Sequence, residues 1–434
     1  PFIFRGALDV GASTINEEMK LACVHAIADL AMAEQNDVVA GAYDGADLSF
    51  GPEYLIPKPF DPRLIAVVAP AVAQAAMDSG VATRPITDMT AYVEKLTEFV
   101  YKSSIFMRPV FSQAKKEIKR VVIAEGEEER SLHAAQQIVS QQLAYPILIG
   151  RQAVIEQKLK QLGLTIQSDK DFEIVNIEDN KYYEASWKEY YNLLKRKGVT
   201  EEMARRRLLA NTTLAGALMV ALGHADAMVC GLVGRFHDHF SILEETVGYN
   251  NPQNLAFTMN ALILHNSSLF IADTYVNKDP TAEQIAQGTL MCASEIERFG
   301  ITPKVALLSN SNFGSGPNGG GNKMQDALPI IRETRPDLQI DGEMQGDVAM
   351  MEEMRQQILP DSTLKGSANL LVMPNVEAAN ISYNLLRVSA ADGITVGPIL
   401  MGMNKPIHII TPISTVRRIV NMVALAAVDA QRNK

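Results

Sequence analysis

Residues 120–150 read RVVIAEGEEERSLHAAQQIVSQQLAYPILIG, and their pattern is typical of one fold class. Its two apolar runs, RVVIAEG and YPILIG, each end at a glycine, as buried strands do, and the polar segment between them has the length of a helix. A strand–helix–strand order predicts a parallel sheet with crossover helices. Six further apolar runs repeat the pattern, each closed by a polar or glycine-rich turn: DFEIVNI (171–177), ADAMVCGLV (225–233), SLFIADTYV (268–276), KVALLSNS (304–311), LQIDGEM (338–344) and NLLVMPN (369–375). We therefore predict an α/β fold, with ligands at the carboxyl ends of the strands.

The first hundred residues have a different texture. Apolar residues recur at helical spacing over 15–33, and Asn16 followed by two glutamates is typical of a helix start. A proline-rich connection follows over 46–64, and then a helix that ends near Gly80. This part is predicted to be helical.

Composition limits the function classes. The chain has 434 residues, a formal net charge of −10 and 47% hydrophobic residues. This balance fits a globular protein of two to three domains and argues against nucleic-acid or anionic-membrane surfaces. The apolar stretch at 66–77 is shorter than the roughly 20 residues of a membrane span. Three widely spaced cysteines indicate a reducing compartment, so we expect a cytoplasmic protein without a metal-ligand cysteine cluster.

The strongest ligand candidate is the loop VALLSNSNFGSGPNGGGNK at 305–323. Glycines allow backbone amides to approach a phosphate, and serine and asparagine side chains supply neutral donors. The candidate ligand contacts are Ser309, Asn310, Ser311, Asn312, Phe313, Gly314 and Ser315, and three glycines follow at 319–321. The alternative is that the loop is a flexible surface turn.

A second candidate is GRFHDHFS at 234–241, where Arg235 and Asp238 supply opposite charges. His237 and His239 are two residues apart and would share one face of a strand. A zinc site would need a third ligand that nothing nearby supplies, so we predict no metal. A pocket lining and a surface loop stay open as alternatives.

The segment LMGMNKPIHIITPISTVRRIV at 400–420 resembles the active-site segment of phosphate acetyltransferases, which reads K-P-(I/V)-N-D-L-S-R-G-x-(S/T)-x-x-D-I-V. Lys405 and Pro406 are kept. Thr411 and Pro412 stand where the family has its Ser-Arg pair, and Arg418 stands where it has its catalytic Asp. The resemblance implies a two-lobed fold whose reaction has been lost.

Other positions also lack the charged or hydroxyl residue that the family has there. The family's arginines fall on Leu194 and Ser241, its threonine on Phe236 and a lysine on Phe313, whereas Asp238 is retained and Arg235 is a new cation nearby. The basic run at 195–197 either complements a helix end or binds anions. Asn375 and Asn380 lie in the family-like motif PNVEAANISYNLLR and are weaker pocket candidates. Lys405 and Thr411 are the remaining candidate ligand contacts.

The beginning of the chain, PFIFRGALDVGASTINEEMKLA, resembles the end of the NAD(P)-binding domain of bacterial malic enzymes, and GPEYLIPKPFDPRL at 51–64 continues the match. Together the two resemblances imply the layout of hybrid NADP-dependent malic enzymes, which use NADP and Mg²⁺ or Mn²⁺ to convert malate to pyruvate. The dinucleotide loop and acid–base groups would lie in an upstream domain, so this chain alone is expected to be inactive as a malic enzyme.

The resemblance implies these limits: a malic enzyme remnant and linker at 1–95, and a phosphate acetyltransferase-like domain at 96–434, with one lobe at about 106–249 plus 404–434 and the other at about 250–403. It also implies acetyl-CoA as ligand and a homo-oligomer, namely a dimer of this domain within a possible hexamer. Our preferred function is allosteric regulation by acetyl-CoA. A purely structural oligomerisation module and an active phosphate acetyltransferase are the alternatives.

Overall fold

The computed structural model describes residues 2–32, 51, 55–57, 61, 63–100, 102–176, 181–264, 267–316, 323–389 and 394–432. The chain divides into two compact units, Pro1–Phe106 and Met107–Lys434. The domain limits given above stay predictions.

The first unit is helical in its described part, as predicted. Its helices are α1 (Phe2–Asp9), α2 (Glu17–Met32), α3 (Arg63–Asp78) and α4 (Met89–Val100). Asn16 begins α2 as expected, since its Oδ1 accepts a hydrogen bond from the Met19 amide at 3.0 Å. Gly6 allows α1 to lie against α3, because a Cβ there would stand 2.5 Å from the Ala69 carbonyl oxygen. Met19, Val68 and Val72 are buried between these helices.

Strands and helices alternate from residue 102 onward. The helices are α5 (Lys102–Ala114), α6 (Glu129–Ser140), α7 (Gln152–Gln161), α8 (Tyr183–Leu194), α9 (Glu201–Ala210), α10 (Thr212–Ala221), α11 (Phe236–Thr246), α12 (Ala282–Arg298), α13 (Lys323–Thr334), α14 (Gly346–Met350), α15 (Glu352–Ile358), α16 (Val376–Ser389) and α17 (Val416–Arg432). The strands are β1 (Arg120–Ile123), β2 (Tyr145–Ile149), β3 (Glu173–Val175), β4 (Ala227–Cys230), β5 (Phe257–Ile263), β6 (Ser268–Ala272), β7 (Lys304–Leu308), β8 (Gln339–Met344), β9 (Leu370–Val372), β10 (Ile394–Met401) and β11 (Ile407–Ile409).

Sheet A has the order β11-β4-β1-β2-β3, with every pairing parallel. The chain builds outward from β1 to β3 and then returns to the other side of β1 to add β4 and β11. The strand order therefore reverses between β1 and β4, and a crevice at their carboxyl ends is the favoured ligand position in such sheets.

Sheet B has the order β10-β5-β6-β9-β7-β8. Strands β6, β9, β7 and β8 pair in parallel, whereas β5 pairs antiparallel with both β10 and β6. The predicted α/β fold with parallel-dominated sheets is confirmed. The antiparallel edge was not predicted. Thr258 and Asn260 interrupt the apolar run of β5, and Gly397 and Pro398 interrupt β10, which is an edge strand with a register shift at that point.

No helix in the described part of the chain is long and apolar enough to cross a membrane.

Candidate functional site

The loop that follows β7 is built around a buried carboxylate. Glu343, at the end of β8, is 1% exposed, and its Oε1 accepts hydrogen bonds from Ser311 Oγ at 3.0 Å and from the Gly314 amide at 2.8 Å. The Phe313 amide donates to the Glu343 carbonyl oxygen at 2.8 Å. Glu343 therefore fixes the path of the predicted ligand loop. Sequence analysis missed this role, although the motif DGEMQGD at 341–347 could have drawn attention to the residue.

Side-chain hydrogen bonds hold the outer part of the same loop. The backbone amide of Asn312 donates to Ser315 Oγ at 3.0 Å. The Asn312 side chain accepts from the Gln345 backbone amide at 2.8 Å and donates to Gln345 Oε1 at 3.1 Å. Gln345 Nε2 also donates to the Asn310 carbonyl oxygen at 3.1 Å. Several polar groups predicted to contact a ligand are thus occupied by one another, which gives the loop a defined shape before any ligand binds. The glycines at 319–321 lie outside the described residues.

The sequence resemblance predicts that Phe313 and Leu194 replace cations of the transferases, and the structure packs both side chains among apolar residues. Leu194 is 3% exposed within the core around sheet A, and Phe313 is partly buried against the core of sheet B. Neither side chain can supply a charge to a phosphate.

The Thr411 segment follows β11 at the carboxyl edge of sheet A. The Thr411 amide donates to Ser414 Oγ at 3.1 Å. Arg130, from α6, donates to the carbonyl oxygens of Pro412 and Ser414 at 2.6 and 2.8 Å. A cation is therefore present here, but it binds backbone carbonyls. Lys405 lies before β11 and Thr411 after it, so the structure does not bring these two predicted contacts to the same edge of the sheet.

Glu125 lies in the crevice between β1 and β4. Its Oε1 accepts from the Gly231 amide at 2.9 Å, and its Oε2 is buried without a partner among the described residues. Burial raises the pKa of this carboxyl to about 7, against the opposing effect of the backbone amides of Gly231 and Leu232. Near neutral pH the group is therefore close to half-protonated. Sequence analysis did not single it out.

A raised pKa makes Glu125 a source of pH-dependent stability. The folded state binds the proton more tightly than the unfolded state, so ionisation of Glu125 costs stability as pH rises from its ordinary pKa through about 7. Glutamine cannot ionise, so the variant escapes this cost. As the pH rises from about 5 to about 8, we expect the free energy of unfolding of Glu125→Gln to increase by about 2–3 kcal/mol relative to that of the unsubstituted chain. Urea titrations across that range measure the difference. Glu129→Gln, an exposed position on α6, is the control. A difference that does not change with pH would contradict the assignment.

Residues 235–241 form the start of helix α11. Arg235 and Asp238 are joined by two hydrogen bonds of 2.9 Å at the surface, so their charges offset each other. Ser241 Oγ donates to the His237 carbonyl oxygen at 3.0 Å. The expectation that His237 and His239 share the face of a strand is wrong, because residues two apart on a helix point away from each other.

His239 has both ring nitrogens engaged. It is buried, its Nδ1 lies 2.7 Å from Thr213 Oγ1, and its Nε2 lies 2.8 Å from the Val233 carbonyl oxygen. The carbonyl can only accept, so Nε2 carries the proton and Nδ1 accepts from the threonine hydroxyl. Burial lowers the pKa of His239. This histidine joins α11 to α10 and is not free to bind a metal.

The two weaker candidates have local roles. Asn375 Oδ1 accepts from the Ala378 amide at 2.8 Å and so caps α16. Asn380 Nδ2 donates to the Thr274 carbonyl oxygen at 3.2 Å. Both side chains therefore stabilise the segments that follow β6 and β9.

Two contacts join segments that follow strands of sheet A to sheet B, one at the start of β10 and one at the turn after β6. Arg418, on α17, donates a hydrogen bond to Thr395 Oγ1 of β10. Phe236, the first residue of α11, stacks on Tyr275 with ring centroids 4.7 Å apart and planes 23° apart. Burial raises the pKa of Tyr275, and Arg418 lies close enough to oppose that shift. Phe236 and Arg418, both predicted to differ from the transferase pattern, thus each lie near Tyr275.

A buried charge cluster forms a further connection. Arg298 on α12 donates to both Glu295 and Asp429, and Asp429 lies on α17. His408 Nε2 lies 3.1 Å from Asp429 Oδ2, while its Nδ1 accepts from the Leu400 amide of β10 at 3.3 Å. Burial first, and then the negative charge of Asp429, raise the pKa of Glu295 to about 7.

Comparison with known proteins agrees with these two parts of the chain. An NADP-dependent malic enzyme from Salmonella typhimurium is 61% identical over 99% of the chain, and the chain spans 57% of that protein's length. A phosphate acetyltransferase from Helicobacter pylori is 32% identical over 75% of the chain and 62% of its own length. A solved phosphotransacetylase from Streptococcus pyogenes superposes with a TM-score of 0.68 at 27% identity, covering 76% of this chain and 99% of that chain. Both predicted resemblances are thereby confirmed. Residues 105–427 match the model of the phosphate acetyl/butaryl transferase family, and the chain belongs to that family.

Proposed function

We propose that this chain is the regulatory part of a cytoplasmic NADP-dependent malic enzyme, in which a phosphate acetyltransferase fold binds acetyl-CoA without transferring its acetyl group. The proposal rests on one observation: the fold of the family is kept, while uncharged or oppositely charged residues stand at positions where the family has charged ones. Leu194 and Phe313 are packed among apolar residues, and Arg418 takes the place of a carboxylate. Acyl transfer to phosphate needs a base and a cationic clamp, and these substitutions remove both.

The whole protein would oxidise malate to pyruvate and CO₂, with NADP and Mg²⁺ or Mn²⁺ bound by an upstream domain. The likeness to malic enzymes over the whole chain supports this, including the helical first unit. The assembly would be a homo-oligomer in which this region forms dimers, within a possible hexamer. This chain alone would turn over neither malate nor acetyl phosphate.

Acetyl-CoA would lie where the segments after sheet A meet those after sheet B. Small polar side chains of the loop shaped by Glu343 would border the thioester and pantetheine arm, and the guanidinium of Arg418 would meet a phosphate of CoA. The sequence-predicted contacts kept in this proposal are Ser309, Asn310, Ser311, Asn312, Phe313, Gly314, Ser315, Arg235, Asp238, Asn375, Asn380 and Thr411, to which Arg418 is added. Lys405 lies before β11, at the other edge of sheet A, and is left out. Regulation requires that acetyl-CoA bind one state of the whole enzyme more tightly than another. A coupling of about 1–3 kcal/mol would change malic activity several-fold to about a hundredfold.

An active phosphate acetyltransferase is the enzymatic alternative. We expect no release of free thiol when the chain is mixed with acetyl-CoA and phosphate, and no rescue by Pro412→Arg alone, since groups that act together in catalysis have non-additive effects. The triple variant Thr411→Ser, Pro412→Arg, Arg418→Asp restores the family's residues and is the matched comparison. Thiol release by the unsubstituted chain above the rate without protein would overturn the loss of the reaction.

A structural module without a ligand is the second alternative. It predicts the same absence of acetyl transfer, so only binding separates it from regulation. Titration of the chain with acetyl-CoA, together with assay of the full-length malic enzyme with and without acetyl-CoA, tests the proposal.

A further inference from the structure

The stacked rings of Phe236 and Tyr275 join parts of the chain that belong to different sheets. Phe236 follows β4 of sheet A and Tyr275 follows β6 of sheet B, and their centroids are 4.7 Å apart. Both side chains are half-buried. The resembling transferases have a threonine at the position of Phe236. A ring here therefore fills space that a small hydroxyl side chain would leave open.

Hydrogen bonds hold the backbone that carries the Tyr275 ring. The Tyr275 amide donates to Thr258 Oγ1 at 3.0 Å and to Asp273 Oδ1 at 3.2 Å, and Asp273 also accepts from the Asn277 amide at 2.7 Å. Asp273 is 3% exposed, so this turn is anchored in the interior. A movement of the segments that carry the rings relative to each other would therefore part the rings.

On the other side, Phe236 is supported by its own helix. Its ring lies 6.3 Å from that of Phe240, one helical turn later, and Phe240 is buried in the core around sheet A. The hydrogen bond from Arg418 to Thr395 joins α17 to the start of β10 and is a separate link between the segment after β11 and sheet B. The ring pair thus links the segment after β4 to the turn after β6, where the proposed ligand would enter.

We propose that Phe236 and Tyr275 form a latch that holds the two sheets closed over the acetyl-CoA site, and that the rings must part before acetyl-CoA binds. This inference rests on the proposed function. A latch of this kind lowers the apparent affinity by the fraction of molecules that are open. Aromatic pairs contribute enough to shift such an equilibrium by about threefold to tenfold. The latch would then set the acetyl-CoA concentration at which regulation begins.

Substitutions at the two rings test the latch. Phe236→Thr restores the family's residue, Phe236→Leu keeps apolar volume without a ring, and Tyr275→Phe keeps the ring and removes only the hydroxyl. We expect the two Phe236 variants to bind acetyl-CoA about threefold to tenfold more tightly in calorimetry, and Tyr275→Phe to bind like the unsubstituted chain. Unchanged or weaker binding by both Phe236 variants would overturn the latch.

A second measurement needs no ligand. In the free chain, amide hydrogen exchange at residues 236–246 and 275–277 is expected to become faster in both Phe236 variants and to stay unchanged in Tyr275→Phe, because opening exposes these segments. Unchanged exchange in both Phe236 variants would also overturn the latch. If the unsubstituted chain does not bind acetyl-CoA while exchange responds as expected, the proposed function fails and the mechanical link between the rings stands.

Discussion

Asp429→Asn is expected to lower the free energy of unfolding of the Met107–Lys434 unit by about 3 kcal/mol. Asp429 accepts hydrogen bonds from Arg298 and His408, which come from α12 and β11. Burial opposes ionisation of this carboxyl, but the hydrogen bond from His408 and the charge of Arg298 prevail and lower its pKa. Removing the negative charge leaves the Arg298 guanidinium, which is 17% exposed, with Glu295 as its one acidic partner in the cluster. Because that partner, Glu295, can still ionise, the loss should lie at the lower end of the range of about 3–5 kcal/mol for breaking a buried pair.

The fluorescence of Trp187, the sole tryptophan of the chain, reports unfolding of this unit during a urea titration. The matched control is Asp337→Asn, which breaks a pair with Arg335 at the surface and should change the free energy of unfolding much less than Asp429→Asn does. Equal, small effects of the two substitutions would show that the buried cluster does not join the sheets energetically.

Arg418→Asp is expected to weaken acetyl-CoA binding by about 10- to 100-fold, since a guanidinium–phosphate contact is lost and a carboxylate takes its place. This expectation rests on the proposed function. Arg418 donates to Thr395 at the start of β10 and also lies close enough to Tyr275 to oppose the rise that burial causes in the pKa of that hydroxyl, so its side chain lies between sheet B and the segment after β11. Calorimetry measures the affinity, and size-exclusion chromatography with light scattering measures the oligomer.

Arg206→Asp, at an exposed position on α9, makes the same charge change away from the site and should leave binding unaltered. Weaker binding with an intact oligomer assigns Arg418 to the ligand. Dissociation of the oligomer at unchanged affinity would instead assign Arg418 to a contact between subunits and remove it from the proposed site.

The runs of apolar residues made much of the α/β architecture predictable, because parallel strands that are buried on both faces consist of nearly continuous apolar residues. The run RVVIAEG became β1 and YPILIG became β2, paired in parallel around the predicted helix. Strand β10 escaped prediction because its glycine and proline resemble a turn, and an edge strand tolerates them. Helix α11 was described wrongly because two alternating histidines suggest a strand when their partners are unknown.

The candidate site was less predictable, since its connections join distant parts of the chain. Glu343 holds Ser311 and Gly314 from the neighbouring strand, and nothing in the spacing of these residues reveals it. The same holds for Phe236 with Tyr275. Resemblance to a family identified which positions had changed, but only the packing shows that Leu194 has become part of the core.

A calorimetric titration of the chain with acetyl-CoA decides whether this fold is regulatory. We expect saturable binding of about one acetyl-CoA per chain, weakened by Arg418→Asp and tightened by Phe236→Thr, with no free thiol released when phosphate is added. The absence of any binding heat at saturating acetyl-CoA, with unchanged malic activity of the full-length enzyme, would contradict regulation and leave the structural module as the function of this fold.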